Sequence, residues 1–126
     1  MGESPKTVLL IDDDYDIRAV LCEVLEQEGF AVGVAVNGRD AVSYLEEKPS
    51  PSLILLDLMM PVMNGFEFRD IQMANPKWAG IPVIVMSADG GQANKDKHER
   101  LKGAVFVKKP PDLQHFLETV HAQIAN

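Results

Sequence analysis

Apolar and polar positions along this chain follow two periods in turn. "TVLLID" (Thr7 to Asp12) is a β-branched and aliphatic run, too short for a helix and apolar on both faces, so it predicts a buried strand. Ile17, Val20, Leu21, Val24 and Leu25 then recur at i, i+3, i+4, i+7 and i+8, the inward stripe of an amphipathic helix. Gly29 stands where a helix C-terminus favours glycine. "FAVGVAV" (Phe30 to Val36) predicts the second strand. Asn37 can cap a second helix with Ala41, Val42 and Leu45 facing inward, and "KPSPS" breaks it. "LILLD" (Leu53 to Asp57) is a third strand, and "NGFEFRDIQMAN" a helix stopped near Pro76. "IPVIVMS" (Ile81 to Ser87) is the fourth strand. "GGQANKDKHERLKG" (Gly90 to Gly103) has almost no apolar stripe, so a fourth helix there should pack weakly and move. "AVFVK" (Ala104 to Lys108) is the fifth strand. Asp112 caps a last helix whose inward face is Leu113, Phe116, Leu117, Val120 and Ile124.

Five strands strictly alternating with five helices predict an α/β fold, a parallel sheet covered on both faces. Burial on both faces explains why the strands are apolar throughout. A length of 126 residues fits one domain, with its core over about residues 6–125. Hydrophobic content of 46% and charged content of 25% are those of an ordinary soluble domain. No apolar run is long enough to span a bilayer, and the start lacks the basic and apolar regions of a signal peptide. A cytoplasmic protein with no membrane partner is expected. A formal net charge of −7 argues against direct contact with nucleic acid. With Cys22 alone, neither an internal disulfide nor a cysteine-built metal site is available.

In doubly wound sheets, ligands bind beyond the C-terminal ends of the strands. The first strand ends in Asp12, Asp13 and Asp14, the third in Asp57, the fourth in Ser87, and the fifth in Lys108 and Lys109. If the strand order is 2-1-3-4-5, the first and third strands are neighbours about 4.8 Å apart. Asp12, Asp13 and Asp57 would then form one acidic cluster. Close like charges raise carboxylate pKa values unless a cation sits among them, and a hard divalent ion such as Mg²⁺ suits oxygen ligands. A lysine from the fifth strand, starting some three strand spacings away, should reach over Asp57 rather than to the far acids. This set suits phosphoryl transfer. Asp57 can be the nucleophile that forms an acyl phosphate. The metal and a lysine can neutralise the moving phosphoryl group, and Ser87 can donate a hydrogen bond to the product.

Four motifs in order, "VLLIDDD", "LILLDLMMPVMNG", "VIVMSA" and "GAVFVKKP", now carry a resemblance. The sequence resembles the CheY-like receiver domains of bacterial two-component response regulators over nearly its whole length. The resemblance implies the flavodoxin-like (βα)5 three-layer sandwich and the strand order 2-1-3-4-5. It implies that Asp57 is the phosphoacceptor and that Asp12, Asp13, Asp57 and the backbone carbonyl of Met59 bind Mg²⁺. Ser87 takes the place of the switch hydroxyl. Lys109, before Pro110 and a cis bond, takes that of the phosphate-binding lysine. Phe106 takes that of the aromatic that changes rotamer, and Pro61 and Gly65 shape the loop after Asp57. The implied partners are a sensor histidine kinase or histidine phosphotransfer protein upstream and an effector protein or output domain downstream. The surface of the predicted fourth helix, fifth strand and fifth helix would be the one that switches. The protein would be a monomer or a phosphorylation-dependent dimer, and not a turnover enzyme.

Some positions depart from the family's commonest pattern. Asp14 is a third carboxylate with a plainer use as a helix cap. Lys108 neighbours Lys109, and strand alternation lets only one of them enter the site. Pro111 stands where relatives usually carry a bulky apolar residue. Met59 and Asp89 hold positions that tune dephosphorylation in the family. His98, His115 and His121 show no i, i+4 pair and read as solvated helix residues rather than metal ligands. Trp78 and the Met59–Met60 pair read as packing or loop surface. Two other functions compete. One is an aspartate-nucleophile phosphatase of the haloacid-dehalogenase type, with Asp12 as nucleophile of a D-x-D motif, although Tyr15 and Asp16 do not match its continuation. The other is a degenerate receiver that only binds partners, against which the intact set of Asp12, Asp13, Asp57, Ser87 and Lys109 argues.

Overall fold

A computed structural model describes residues 5–88 and 101–125. Five parallel strands run β1 (Thr7–Ile11), β2 (Ala31–Ala35), β3 (Leu53–Asp57), β4 (Val83–Ser87) and β5 (Val105–Lys108), in the spatial order β2-β1-β3-β4-β5. The helices are α1 (Tyr15–Gln27), α2 (Gly38–Glu47), α3 (Gly65–Ala74) and α4 (Leu113–Ala125). The helix expected between Gly90 and Gly103 lies almost wholly in 89–100, outside the described residues, as do its expected motion and Asp89 and His98.

Strand alternation sorts the core into two halves. Leu9, Ile11, Ile54, Leu56, Val83 and Val85 face α2 and α3, where they meet Ala41, Leu45, Phe66, Phe68 and Trp78. Val8, Leu10, Leu53, Leu55, Ile84, Met86 and Val107 face α1 and α4, where they meet Leu21, Leu25, Phe116 and Val120. Both β3 and β4 are buried at every position, which is what a continuous apolar run in a central parallel strand requires. The three layers follow.

The helix ends follow local chemistry. Asp14 caps α1 by accepting from Ile17 N at 3.1 Å, and Asn37 caps α2 by accepting from Asp40 N at 2.9 Å. Asp112 Oδ1 accepts from the N–H groups of Gln114 and His115 at the start of α4. Gly29 follows α1 with φ +94°, a conformation that costs glycine little.

Two inward assignments are corrected. Val20 is 50% exposed, because the buried stripe centres between Leu21 and Leu25 and leaves Val20 roughly 120° around the helix. Leu113 is 40% exposed. It is the first residue of α4, on the correct face but beside an open groove that it lines with Ile17, Val20, Leu21 and Pro111.

Candidate functional site

The order of the sheet reverses at β1, which neighbours both β2 and β3, so the crevice for a ligand opens beyond the C-terminal ends of β1 and β3. Asp57 is the last residue of β3 and is buried. Asp12 follows β1 and is fully buried, with the more exposed Asp13 beside it. One carboxylate oxygen from each of Asp12, Asp13 and Asp57 lies within 4.8 Å of the others. Ser87 closes β4 and Lys109 follows β5. Asp13, Asp57, Met59, Ser87 and Lys109 share a pocket of about 500 Å³ whose apolar wall includes Phe66 and Met86.

Backbone contacts hold these side chains in place. Asp12 N donates to Ala35 O at 3.1 Å, so the β1–β2 ladder carries one residue beyond β1. Arg18 Nη1 donates to Asp12 O at 2.8 Å, and Asp14 N donates to Asp12 Oδ1 at 2.9 Å. Lys109 N donates to Ser87 O at 2.7 Å, which ties the two far strand ends together. The Lys109–Pro110 bond is cis.

Lys109 Nζ lies 2.9 Å from Asp12 Oδ2 and 3.5 Å from Asp57 Oδ2. The expected reach is therefore corrected: the lysine passes Asp57 and meets the far acid. Asp12 is the most deeply buried of the three acids, and a buried charge draws the nearest counter-charge. The contact is a short ion pair at a buried oxygen. Lys108 points outward and is exposed.

Burial first, then the Asp12 charge, pushes the Asp57 carboxyl up to about 6. Lys109 and the Met59 N–H, 3.4 Å from Asp57 Oδ1, offset only part of this, and Asp13 adds to it. Burial pulls the Lys109 ammonium down, but its contact with Asp12 and the charge of Asp57 outweigh burial and hold it above its usual value. The three acids are thus short of positive charge. Asp12, buried and faced by a single ammonium, completes with Asp13 and Asp57 a set of hard oxygen ligands that fits a divalent cation.

Other candidates fall elsewhere. Phe106 is half-buried against the α2–α3 side of the core and does not line the pocket. Asp14 lines the rim while its carboxylate caps α1. Pro111 is half-buried in the neighbouring groove. Met59 is 79% exposed at the rim, whereas Met60 and Trp78 are buried. His121 sits far along α4, 2.8 Å from Glu28 Oε1, with its ring against Phe30. His115 is exposed. The Cys22 thiol is half-buried, and burial, with Glu26, raises its pKa, which suits an inert thiol.

Three features escaped the sequence reading. Arg18 fixes the Asp12 carbonyl, and no spacing rule announces a contact six residues back. Asn64 and Glu67 form a reciprocal capping box at α3, which "NGFE" does signal. Arg69 and Gln72 are buried polar residues on the inward face of α3.

A doubly wound sheet with three acids and a lysine gathered beyond its strand ends defines a class: small α/β domains with an acidic crevice whose oxygens suit a hard cation. The family model of the response regulator receiver domain matches residues 8–121, and the chain belongs to that family of two-component signal-transduction domains. Protein PilH of Pseudomonas aeruginosa is 30% identical over 118 residues, 94% of this chain and 97% of that protein. The transcriptional regulatory protein CpxR of Escherichia coli is 37% identical over 103 residues, 82% of this chain but 42% of that longer protein. The chemotaxis response regulator CheY4 of Vibrio cholerae shares the fold, with a TM-score of 0.86 at 24% identity over 94% of this chain and 98% of that one. Family membership does not favour the phosphatase or the degenerate module. Among the described residues no helix is long and apolar enough to cross a membrane.

Proposed function

We propose that Asp57 accepts a phosphoryl group from a histidine of a partner protein, a sensor histidine kinase or histidine phosphotransfer protein. The observation that carries this reading is a buried Asp57 with two further acids and a lysine around it, facing an open pocket of about 500 Å³. An Asp57 carboxylate oxygen attacks phosphorus, a P–O bond forms, the P–N bond to the imidazole breaks, and the imidazole leaves with the bond's electron pair. The product is an acyl phosphate that water later hydrolyses. Asp12, Asp13, Asp57 and the Met59 carbonyl would hold Mg²⁺, which supplies charge neutralisation to the transferring phosphoryl oxygens. Lys109, already within 3.5 Å of Asp57, would bind a phosphoryl oxygen. Ser87 at the end of β4 would donate to another.

Movement of Ser87 toward the phosphoryl group frees space for Phe106, and the surface of β5 and α4, with that of the helix expected ahead of β5, changes for an effector or output domain. Residues 6–125 act as one receiver domain in the cytoplasm, monomeric or dimerising on phosphorylation, without touching membrane or nucleic acid. The protein catalyses only its own phosphorylation and dephosphorylation, so it is a switch and not a turnover enzyme.

Intact mass after incubation with acetyl phosphate tests the reading. One added phosphoryl group that needs Mg²⁺ supports it. No adduct on a folded chain would point to the degenerate module. Steady phosphate release that survives Asp57→Asn but not Asp12→Asn would point to the phosphatase.

A further inference from the structure

Phe66, Arg69 and Gln72 stand at i, i+3 and i+6, which puts them in one row on the inward face of α3. All three are buried, at 5%, 4% and 0% exposure. A row of this kind is normally apolar. Here two of its three members are polar, and each is hydrogen-bonded to backbone of another segment. Arg69 Nη2 donates to Lys102 O at 2.7 Å, and Arg69 Nη1 donates to Gln72 Oε1 at 2.7 Å. Gln72 Nε2 in turn donates to Trp78 O at 3.0 Å and Ile81 O at 3.1 Å. One chain of hydrogen bonds thus joins the turn ahead of β5, the middle of α3, and the loop leading into β4.

The other end of the row is at the carboxylate site. Phe66 forms part of the pocket wall. Gly65 N donates to Leu58 O at 3.0 Å, and α3 begins so close to β3 that a Cβ on Gly65 would lie 2.5 Å from Asp57 O. The helix start and the end of β3 are therefore in direct backbone contact. Six residues beyond Phe66, Gln72 sits roughly 9 Å up the same helix.

Arg69 has no carboxylate partner among the described residues, and its Nε has no hydrogen-bond partner there. Its charge is satisfied by a side-chain amide and one carbonyl. In a low-dielectric setting such bonds are strong when made and costly when broken. Release of the Lys102 carbonyl would leave the buried guanidinium one partner short. An apolar side chain would fill the same space with no such constraint.

We propose that Arg69 is a positioning residue that couples the carboxylate site to the strand carrying Phe106, with Gln72 extending the coupling to Trp78. It rests on the phosphoryl reading of Asp57 for its natural trigger. Trp78, the sole tryptophan, is buried and accepts from Gln72 through its carbonyl, so it is a built-in reporter.

The test follows Trp78 emission while acetyl phosphate and Mg²⁺ are added, with intact mass read on the same samples. In the wild type, emission should change in step with the adduct. Arg69→Met should reach the same adduct with the emission change lost. Arg69→Lys, whose ammonium can still reach the Lys102 carbonyl, should keep part of it. A purely structural role would lower stability and leave the emission change intact. Equal emission changes in wild type and Arg69→Met, or none in a fully phosphorylated wild type, would overturn the proposal. If Arg69→Met fails to fold, Arg69→Gln, whose amide can still donate to Gln72 Oε1 but is two bonds shorter than the guanidinium that reaches Lys102 O, takes its place under the same criteria. If no adduct forms, the phosphoryl reading fails by itself, and Mg²⁺ alone, titrated into wild type and Arg69→Met, decides the coupling by the same contrast.

Discussion

Asp57 carries its charge where that charge is least welcome, at the buried end of a central strand and beside Asp12. Its carboxyl is pushed up to about 6 by burial and by Asp12, so the folded state binds a proton more readily than the unfolded chain does. Stability from this group is complete below the unfolded pKa and is lost as pH rises through the folded one. In metal-free protein, Asp57→Asn should match wild type near pH 3 and exceed it by about 2 kcal/mol at pH 7.5, after a discount for solvent screening. Urea unfolding across pH in a chelating buffer checks this. A constant gap across that range would contradict it. A second residue carries backbone strain. Val62 has φ +70°, and Met63 N donates to Pro61 O at 2.8 Å across it, closing a tight three-residue turn. A β-branched residue there is strained. Val62→Gly should raise stability by about 1 kcal/mol, the strain relieved less the entropy of glycine. A lower urea midpoint for the variant would rule that out. The acids, Ser87 and Lys109 were readable because each closes or follows an apolar run. The reach of Lys109 to Asp12 was not, because strand spacing says nothing of which carboxylate is most deeply buried.

Among the elements, α3 has the most to do. Its capping box fixes where it starts, and Gly65 lets that start press against β3. Asn64→Ala should cost about 1 kcal/mol in urea unfolding, the usual loss for an N-cap. Gly65→Ala should cost more, about 2 kcal/mol, because the new Cβ meets backbone rather than a yielding side chain. It should also slow phosphorylation by acetyl phosphate, since relief requires Asp57 or Leu58 to shift. Wild-type rates with lowered stability would separate packing from site geometry. The strands were legible because burial on both faces leaves continuous apolar runs. Helix faces were legible less well. Val20 and Leu113 fit the periodic template yet line a groove, since periodicity marks a face and not its edges. Arg69 and Gln72 lie on the inward row that the same template identifies, but polar residues there break the pattern that is normally searched for.

For the molecule as a whole, the order 2-1-3-4-5 brings residues from opposite ends of the chain into one pocket. That order came from family resemblance, because alternation of strands and helices sets a parallel sheet but not which strands touch. Once the order is known, the cluster of Asp12, Asp13 and Asp57 follows from strand spacing alone. A cation that binds only this cluster should stabilise the folded chain. At a Mg²⁺ concentration about 100 times the dissociation constant the gain should be about 2.7 kcal/mol. Asp13→Asn, tested at the same Mg²⁺ concentration, should show a much smaller rise in Tm, and an equal rise would place the ion elsewhere.

The central claim is that Asp57, and no other acid of the cluster, carries the phosphoryl group. Borohydride reduces an acyl phosphate to an alcohol and so converts the modified aspartate to homoserine. Peptide mass spectrometry after phosphorylation and reduction reads the acceptor directly. Homoserine at position 57, absent without Mg²⁺, is the predicted result. Homoserine at position 12 or 13, or at none of the three, would contradict it.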